Sequence, residues 1–362
     1  MTPPYRIHLA VPDLGGREVY SVNQALLHRQ LTQGAFVERF EAEFAAKLGV
    51  QHAVACASGT AALHLALLAA GVKPGDRVLV PTLTYVASVA AIRYCGAIPV
   101  FQDVDPKTWG LRGNGASAQA IIPVHLYGVP CQPGVVAGVA CVDDCAESLG
   151  ATHDWVRSRR DPWLATYSFY GNKILTTGEG GMVVTDDASL AAKLRLFRGQ
   201  GQSPDRRYWH TVVGMNYRMM ELSAAIGLAQ LERLDEMLKV RHQRLTEYHN
   251  LLRGTGVEWQ TPRPGTVQAP WVAACLLPKQ PIGTNLAQAH RDITMQKLAT
   301  LGIESRPVFP LVSDMPPYRE FAKDQDVPVA REISSRGIVL PLHSQMRAED
   351  VEEVCASLRR LL

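Results

Sequence analysis

Short apolar runs and helix-period patterns alternate along the first two-thirds of the chain. His52-Ala-Val-Ala-Cys56 reads as a strand and Thr60–Ala70 as a helix. Arg77-Val-Leu-Val80 and Tyr85–Cys95 repeat that pair. Further strands are expected at Ile98-Pro-Val-Phe-Gln102, Ala120-Ile-Ile-Pro-Val124 and Val139–Val142. Strand, helix and strand at this spacing require crossover connections, which build a mostly parallel sheet covered by helices on both faces. The expected class is therefore α/β. Sheets of this kind bind ligands beyond the C-terminal edges of their strands.

From Glu221 to Leu252 the pattern predicts one continuous helix. Leu222, Ala225, Leu228, Leu231, Leu234 and Leu238 fall at three- and four-residue steps on one stripe, and Gly254 and Gly256 are stop signals. This helix is expected to join a large unit, residues 1–235 with an N-terminal arm, to a smaller α+β unit, residues 236–362. The smaller unit has strand patterns at Val257–Gln260, Trp271–Leu277 and Ile338–Leu340, and helix patterns at Ala287–Leu301 and Ala348–Leu361. Between them, Arg306-Pro-Val-Phe-Pro310 through Pro316-Pro-Tyr318 is proline-rich and reads as an ordered surface loop.

Composition narrows the class without changing it. The chain has 362 residues, 47% hydrophobic and 20% charged, which excludes a disordered, collagen-like or disulfide-stapled protein. A net charge of +3 gives no case for nucleic acid or a membrane surface as partner. No apolar run approaches the roughly 20 residues of a membrane-spanning helix. The start, MTPPYRIHLAVPDLGG, lacks the pattern of a secretory signal, so a cytoplasmic location is expected. Seven scattered cysteines suit reduced thiols. Cys141 and Cys145 have no second Cys/His pair at zinc spacing, so they read as small core residues and no metal site is expected.

Four segments carry candidate chemistry. Ala57-Ser-Gly-Thr-Ala-Ala-Leu63 is a small-residue turn into a helix, and a helix N-terminus attracts phosphate. Gly59 lets the backbone approach such an anion, although a capped helix without a ligand has the same residues. Val142-Asp-Asp-Cys-Ala-Glu147 follows an apolar strand. One of its acids can face the cleft, where a buried carboxylate needs a cation such as a protonated pyridine nitrogen; the alternative is a solvated loop acid. Tyr167-Ser-Phe-Tyr-Gly-Asn-Lys-Ile-Leu-Thr-Thr-Gly-Glu-Gly-Gly181 sets Lys173 between an aromatic strand and a glycine-rich turn. A lysine walled by apolar groups is a nucleophile toward aldehydes, whereas most lysines are simply solvated. Trp209-His-Thr-Val-Val-Gly-Met-Asn-Tyr-Arg218 mixes aromatic, amide and cationic groups without periodicity, as a ligand loop does, or as a helix-entry loop capped by Asn216.

Together with Leu31-Thr-Gln-Gly34, Phe40-Glu41, Pro81-Thr-Leu-Thr-Tyr-Val-Ala87, Arg306-Pro and Leu340-Pro-Leu-His343, these segments resemble the DegT/DnrJ/EryC1/StrS sugar aminotransferases almost end to end. That family has the type I fold of pyridoxal-phosphate (PLP) enzymes, with a seven-stranded sheet. Within it, Ser168-Phe-Tyr-Gly-Asn-Lys173, Arg207-Tyr-Trp-His210 and Glu147 are most similar to members that transfer an amino group from L-glutamate to C4 of GDP-4-keto-6-deoxymannose. The chain departs from the family pattern at Met215 and at Met220-Glu221.

The resemblance implies roles. Lys173 would hold PLP covalently, Asp144 would pair with the pyridinium nitrogen, and Tyr85 would stack on the ring. Glu147 would lie near the ring's phenolic oxygen. Gly59 and Thr60 amides with the Ser168 hydroxyl would hold the phosphate. Asn216 would reach the phosphate of a neighbouring subunit, which implies a homodimer. His210, Arg218 and Arg306 are candidates for the substrate diphosphate, or else structural ion pairs. Alternatives are another GDP-, UDP- or dTDP-linked keto sugar, aminated at C3 or C4, and a non-catalytic regulatory protein on the same scaffold. A dehydratase relative would carry His at the Lys173 position. A desulfurase of this fold type would need a reactive cysteine on a mobile loop, where Cys275 instead reads as strand.

Overall fold

A computed structural model describes residues 5–113, 118–132, 134, 138–152, 163–279, 284–323 and 325–362. Helices α1 (Glu18–Leu27) and α2 (Ala35–Leu48) precede strand β1 (His52–Cys56), helix α3 (Gly59–Ala69), β2 (Arg77–Pro81), α4 (Ala87–Tyr94) and β3 (Ile98–Gln102). Then come β4 (Ala120–Ile121), β5 (Ala140–Asp144), β6 (Trp163–Ser168), β7 (Gly181–Thr185) and α5 (Ala188–Arg198). These strands form one seven-stranded sheet in the order β1-β7-β6-β5-β4-β2-β3. Its β6-β5-β4-β2-β3 portion is parallel, and β7 runs against both neighbours. The expected mostly parallel α/β sheet is therefore present. Helix α3 is buried on nearly every side, from Ala61 to Leu67, because it packs under the sheet and has no polar face to present to water.

The continuous helix expected from Glu221 to Leu252 is two helices, α6 (Glu221–Glu232) and α7 (Leu234–Leu251). Arg233 breaks the helical path at φ −106 and ψ 4. No glycine or proline marks the break. A tertiary contact accompanies it: the Arg233 guanidinium bonds Asp13 of the N-terminal segment at 3.0 Å.

Strands β8 (Glu258–Trp259) and β9 (Ala273–Leu276), helix α8 (Thr284–Thr300), β10 (Arg306–Pro307), α9 (Pro328–Arg336), β11 (Gly337–Leu340) and α10 (Ala348–Arg359) follow. They build an antiparallel sheet in the order β10-β11-β9-β8. Strand alternation splits this sheet between two cores. Cys275, Ile338 and Leu340 join Tyr248, Val351 and Leu358 in one cluster, while Ala274, Leu276 and Val339 join the main core.

The proline-rich segment is not a surface loop. Val308 and Val312 are fully buried, and the Val312 N–H donates to the Thr82 carbonyl at 3.0 Å. The Ser313 and Thr82 hydroxyls pair at 2.6 Å. Proline ended regular structure there, as the composition implies, but apolar residues between the prolines carried the segment inward. Sequence patterning also missed α1, α2, α5 and α9. All seven cysteines are buried.

Glu221 shows how a departure from the family wording is used. It opens α6 and its carboxylate caps α2, accepting the N–H groups of Gly34 at 2.7 Å, Val37 at 3.0 Å and Phe36 at 3.0 Å. A carboxylate at a helix N-terminus satisfies first-turn donors and complements the helix dipole. Replacing it strands those donors in a buried place. Glu221→Ala is expected to lower stability by about 3 kcal/mol and Glu221→Gln by less, since the amide keeps one acceptor. Thermal and denaturant unfolding will show it, and equal stability of the Ala variant would refute the capping role.

Candidate active site

A cavity of about 470 Å³ opens where the large sheet's C-terminal edges meet two separate segments, one carrying Trp271 and one carrying Phe309. Gly59, Thr60, Tyr85, Asp144, Glu147, Ser168, Lys173 and Arg306 all line it. Residues from distant parts of the chain thus converge on one volume.

The two adjacent acids of β5 point opposite ways, as strand alternation requires. Asp143 turns into the core, where it accepts the Trp163 Nε1–H at 2.8 Å and faces His125 Nε2 at 3.2 Å. Asp144 turns into the cavity. Its Oδ2 accepts the Ser88 hydroxyl at 2.7 Å and its Oδ1 the Ala146 N–H at 3.1 Å. Burial pushes the Asp144 carboxyl above the ordinary carboxylate range, while these two donors and the Lys173 charge pull it back. Glu147 is raised by burial in the same way, opposed by Lys173 and by the Tyr127 N–H, which donates to Oε2 at 2.8 Å.

Lys173 enters from the turn after β6. Its side chain is only 13% exposed, with Nζ 3.5 Å from Glu147 Oε1 and 3.8 Å from the centre of the Trp271 ring. One largely buried amine therefore contacts Glu147 and acts on Asp144 through its charge. Arg306, the other cation at the cavity, is 57% exposed and pairs with Glu304 at 3.0 Å.

At the opposite end, α3 begins. Ser58 is its cap, accepting the Ala61 N–H at 3.1 Å, which leaves the Gly59 and Thr60 N–H groups without an acceptor inside the helix. Gly59 is required by crowding, since a Cβ there would stand 2.7 Å from Ser168 Cβ. Tyr85 is 58% exposed at the cavity rim, its ring 5.6 Å from that of Phe309. Asn172 also lines the cavity, and its Oδ1 is buried without a hydrogen-bond partner among the described residues.

Asn216, His210 and Arg218 stand apart from this cavity. Asn216 is exposed and bridges to Gly199, and it does not cap α6, which starts at Glu221. His210 Nδ1 lies 2.9 Å from the Gln200 carbonyl, and Arg218 donates to Gln200 Oε1 at 3.3 Å. Sequence reading missed Ser88, Tyr127, Asn172, Trp271 and Phe309 as site residues. Asn172 lay inside the Ser168–Lys173 motif and Ser88 directly after Pro81–Ala87; Tyr127, Trp271 and Phe309 come together through tertiary packing.

The donor set fits a phosphorylated, cationic aromatic aldehyde. Asp144 lacks a full counter-charge, free amides stand where a phosphate would sit, and an amine faces the space between. Comparison with known proteins agrees. The DegT/DnrJ/EryC1/StrS aminotransferase family model matches residues 12–359. The chain is 43% identical to a GDP-perosamine synthase of Caulobacter vibrioides, over 99% of this chain and 98% of that one. It is 39% identical to a GDP-perosamine synthase of Escherichia coli O157:H7, over 96% of each. DesV of S. venezuelae, solved in complex with a ketimine intermediate, superposes with a TM-score of 0.84 at 29% identity, covering 95% of this chain and 94% of that one. With a match nearly end to end and the expected residues gathered in one cavity, the chain belongs to the DegT/DnrJ/EryC1/StrS aminotransferase family.

Proposed function

We propose that this protein is a PLP-dependent aminotransferase that moves an amino group from L-glutamate to GDP-4-keto-6-deoxy-D-mannose, giving GDP-perosamine. The observation that carries the reaction class is the placement of Lys173 and Asp144 on one cavity, with the α3 N-terminus at its end. The choice of sugar nucleotide rests on the Caulobacter and Escherichia relatives.

PLP, when bound, supplies an aldehyde that bonds to amines and a ring that takes up the electron pair left on a substrate carbon. Lys173 Nζ is the atom that would bond to that aldehyde. Gly59 and Thr60 N–H groups and the Ser168 hydroxyl would bind the phosphate, where amide donors and the helix dipole favour an anion. The Asp144 carboxylate would hold the proton on the ring nitrogen. An opposite charge of this kind shifts a pKa by about 1–3 units, enough to keep that nitrogen cationic at neutral pH. The Ser88 hydroxyl and Ala146 N–H aim the carboxylate. Tyr85 and Phe309 would shield the ring from water. Lys173 Nζ, once free, would take the proton from the donor's Cα as general base and would deliver it to a different atom of the reacting group as general acid. The keto sugar enters the same cavity after 2-oxoglutarate leaves, so ping-pong kinetics follow.

The active unit we infer is a homodimer with shared sites. Asn216, His210 and Arg218 lie outside their own chain's cavity, as residues serving a neighbour do. Helix α1 leaves Val19, Tyr20, Leu26 and Leu27 exposed, and an apolar patch of this kind marks an interface. Among the described residues, no helix is long and apolar enough to cross a membrane.

Three outcomes are expected. Borohydride should bleach a yellow holoenzyme and add the cofactor's mass to the peptide bearing Lys173, and Lys173→Ala should lose that adduct; an adduct on another lysine would refute the assignment. With glutamate as donor, GDP-4-keto-6-deoxymannose should be aminated in preference to UDP- and dTDP-linked keto sugars, measured by product mass; reaction with dTDP-linked sugars alone would remove the GDP-perosamine reading. Inactive Lys173→Ala and Asn216→Ala proteins, mixed and allowed to exchange subunits, should regain activity through hybrid dimers with one intact site. Persistent inactivity of proven hybrids would refute the shared site.

A further inference from the structure

Trp271 comes to the cavity from the second sheet, just ahead of β9. Its indole is 7% exposed, and Lys173 Nζ lies 3.8 Å from its ring centre. The ring is fixed from two sides. Its Nε1–H donates to the Asn172 carbonyl at 2.7 Å, and it stacks on Tyr127 with centres 6.2 Å and planes 17° apart.

Tyr127 ties this wall to the carboxylate. It sits in the left-handed region at φ 53, its N–H donates to Glu147 Oε2 at 2.8 Å, and its hydroxyl oxygen accepts the Phe309 N–H at 3.0 Å. A buried non-glycine residue held in that region persists only where its surroundings over-determine it. The other oxygen, Glu147 Oε1, is 3.5 Å from Lys173 Nζ. The amine thus meets an indole face and a carboxylate that one strained residue sets relative to each other.

We propose that Trp271 and Glu147 form the seat of the free Lys173 ammonium, the place it holds while it is not bonded to the cofactor. This rests on the reading of Lys173 given above. The neutral amine takes a proton from the donor's Cα and becomes the ammonium on the seat. It then releases the same proton to the reacting group and is neutral again, so no net charge is left behind. An aromatic face attracts a cation through its quadrupole but accepts no strong hydrogen bond. An ammonium held there keeps N–H protons free to give back. Trp271 is therefore a catalytic residue for the proton-transfer step, and binding of either substrate does not depend on it.

The test compares Trp271→Phe, which keeps a ring face, with Trp271→Leu, which removes it. In single-turnover reaction with L-glutamate alone, followed by loss of the holoenzyme's visible band, the Leu variant should slow about tenfold at saturating glutamate and the Phe variant about threefold at most. The glutamate concentration for half-saturation should stay unchanged in both. A second readout needs no cofactor. In the cofactor-free protein, Lys173→Met should produce an indole difference band in the near-ultraviolet, and the same change in a Trp271→Phe background should not. This second measurement decides the matter even where the Leu variant fails to fold. Equal slowing in the Phe and Leu variants, or no indole band, overturns the seat. A borohydride adduct that persists in Lys173→Ala instead overturns the assignment of Lys173 itself.

Discussion

The site is organised around an excess of buried negative charge. Asp144 and Glu147 both open into one cavity, and of the two cations among the described residues that line it Lys173 is largely buried and Arg306 is exposed. Taking a carboxylate out of water costs several kcal/mol unless a cation or donors replace the lost hydration. Each acid has donors: Ser88 and Ala146 for Asp144, Tyr127 for Glu147. Burial still raises both above the ordinary range. A cavity in that condition favours a ligand that brings positive charge to Asp144, and Lys173 lies nearer to Glu147. The protein's own electrostatics therefore point to the role each acid takes.

The parallel sheet makes that arrangement possible. Strand β5 ends in two consecutive acids, and alternation sends them to opposite faces. Asp143 is spent on the core, between Trp163 and His125, and locks the strand end. Asp144 then has one direction left. The same edge of the sheet brings α3 and the turn bearing Lys173 to the cavity, because each follows a strand of that sheet.

What was legible in the sequence was local or periodic. The strands β1, β2, β3 and β5, the helix after Ser58, and the acids and lysine at strand ends all have signatures within a few residues. The break at Arg233 has none, because its accompanying contact is with Asp13, far back in the chain. The buried course of Val308 to Ser313 has none either, since prolines predict a turn but not what lies beneath it. Glu221 looked like a departure from a pattern; its meaning emerged only when α2 was seen to start against it. The aromatic wall of Tyr127, Trp271 and Phe309 joins three separate segments, and no spacing rule connects them.

That wall also shows why the second sheet belongs to the chemistry. Its strands β9 and β11 bury one face against α10 and the other against the main core. A sheet packed on both faces has little freedom to slide, because close-packed interiors respond to strain by shifting between discrete arrangements. Trp271 lies two residues ahead of β9, and its carbonyl accepts the Arg241 guanidinium at 2.9 Å from the buried side of α7. Lys173, by contrast, is anchored on the large sheet. The distance between amine and indole is thus set by how the two sheets pack. Core substitutions beneath β9, far from any ligand, act on the same proton-transfer step as changes at the cavity wall.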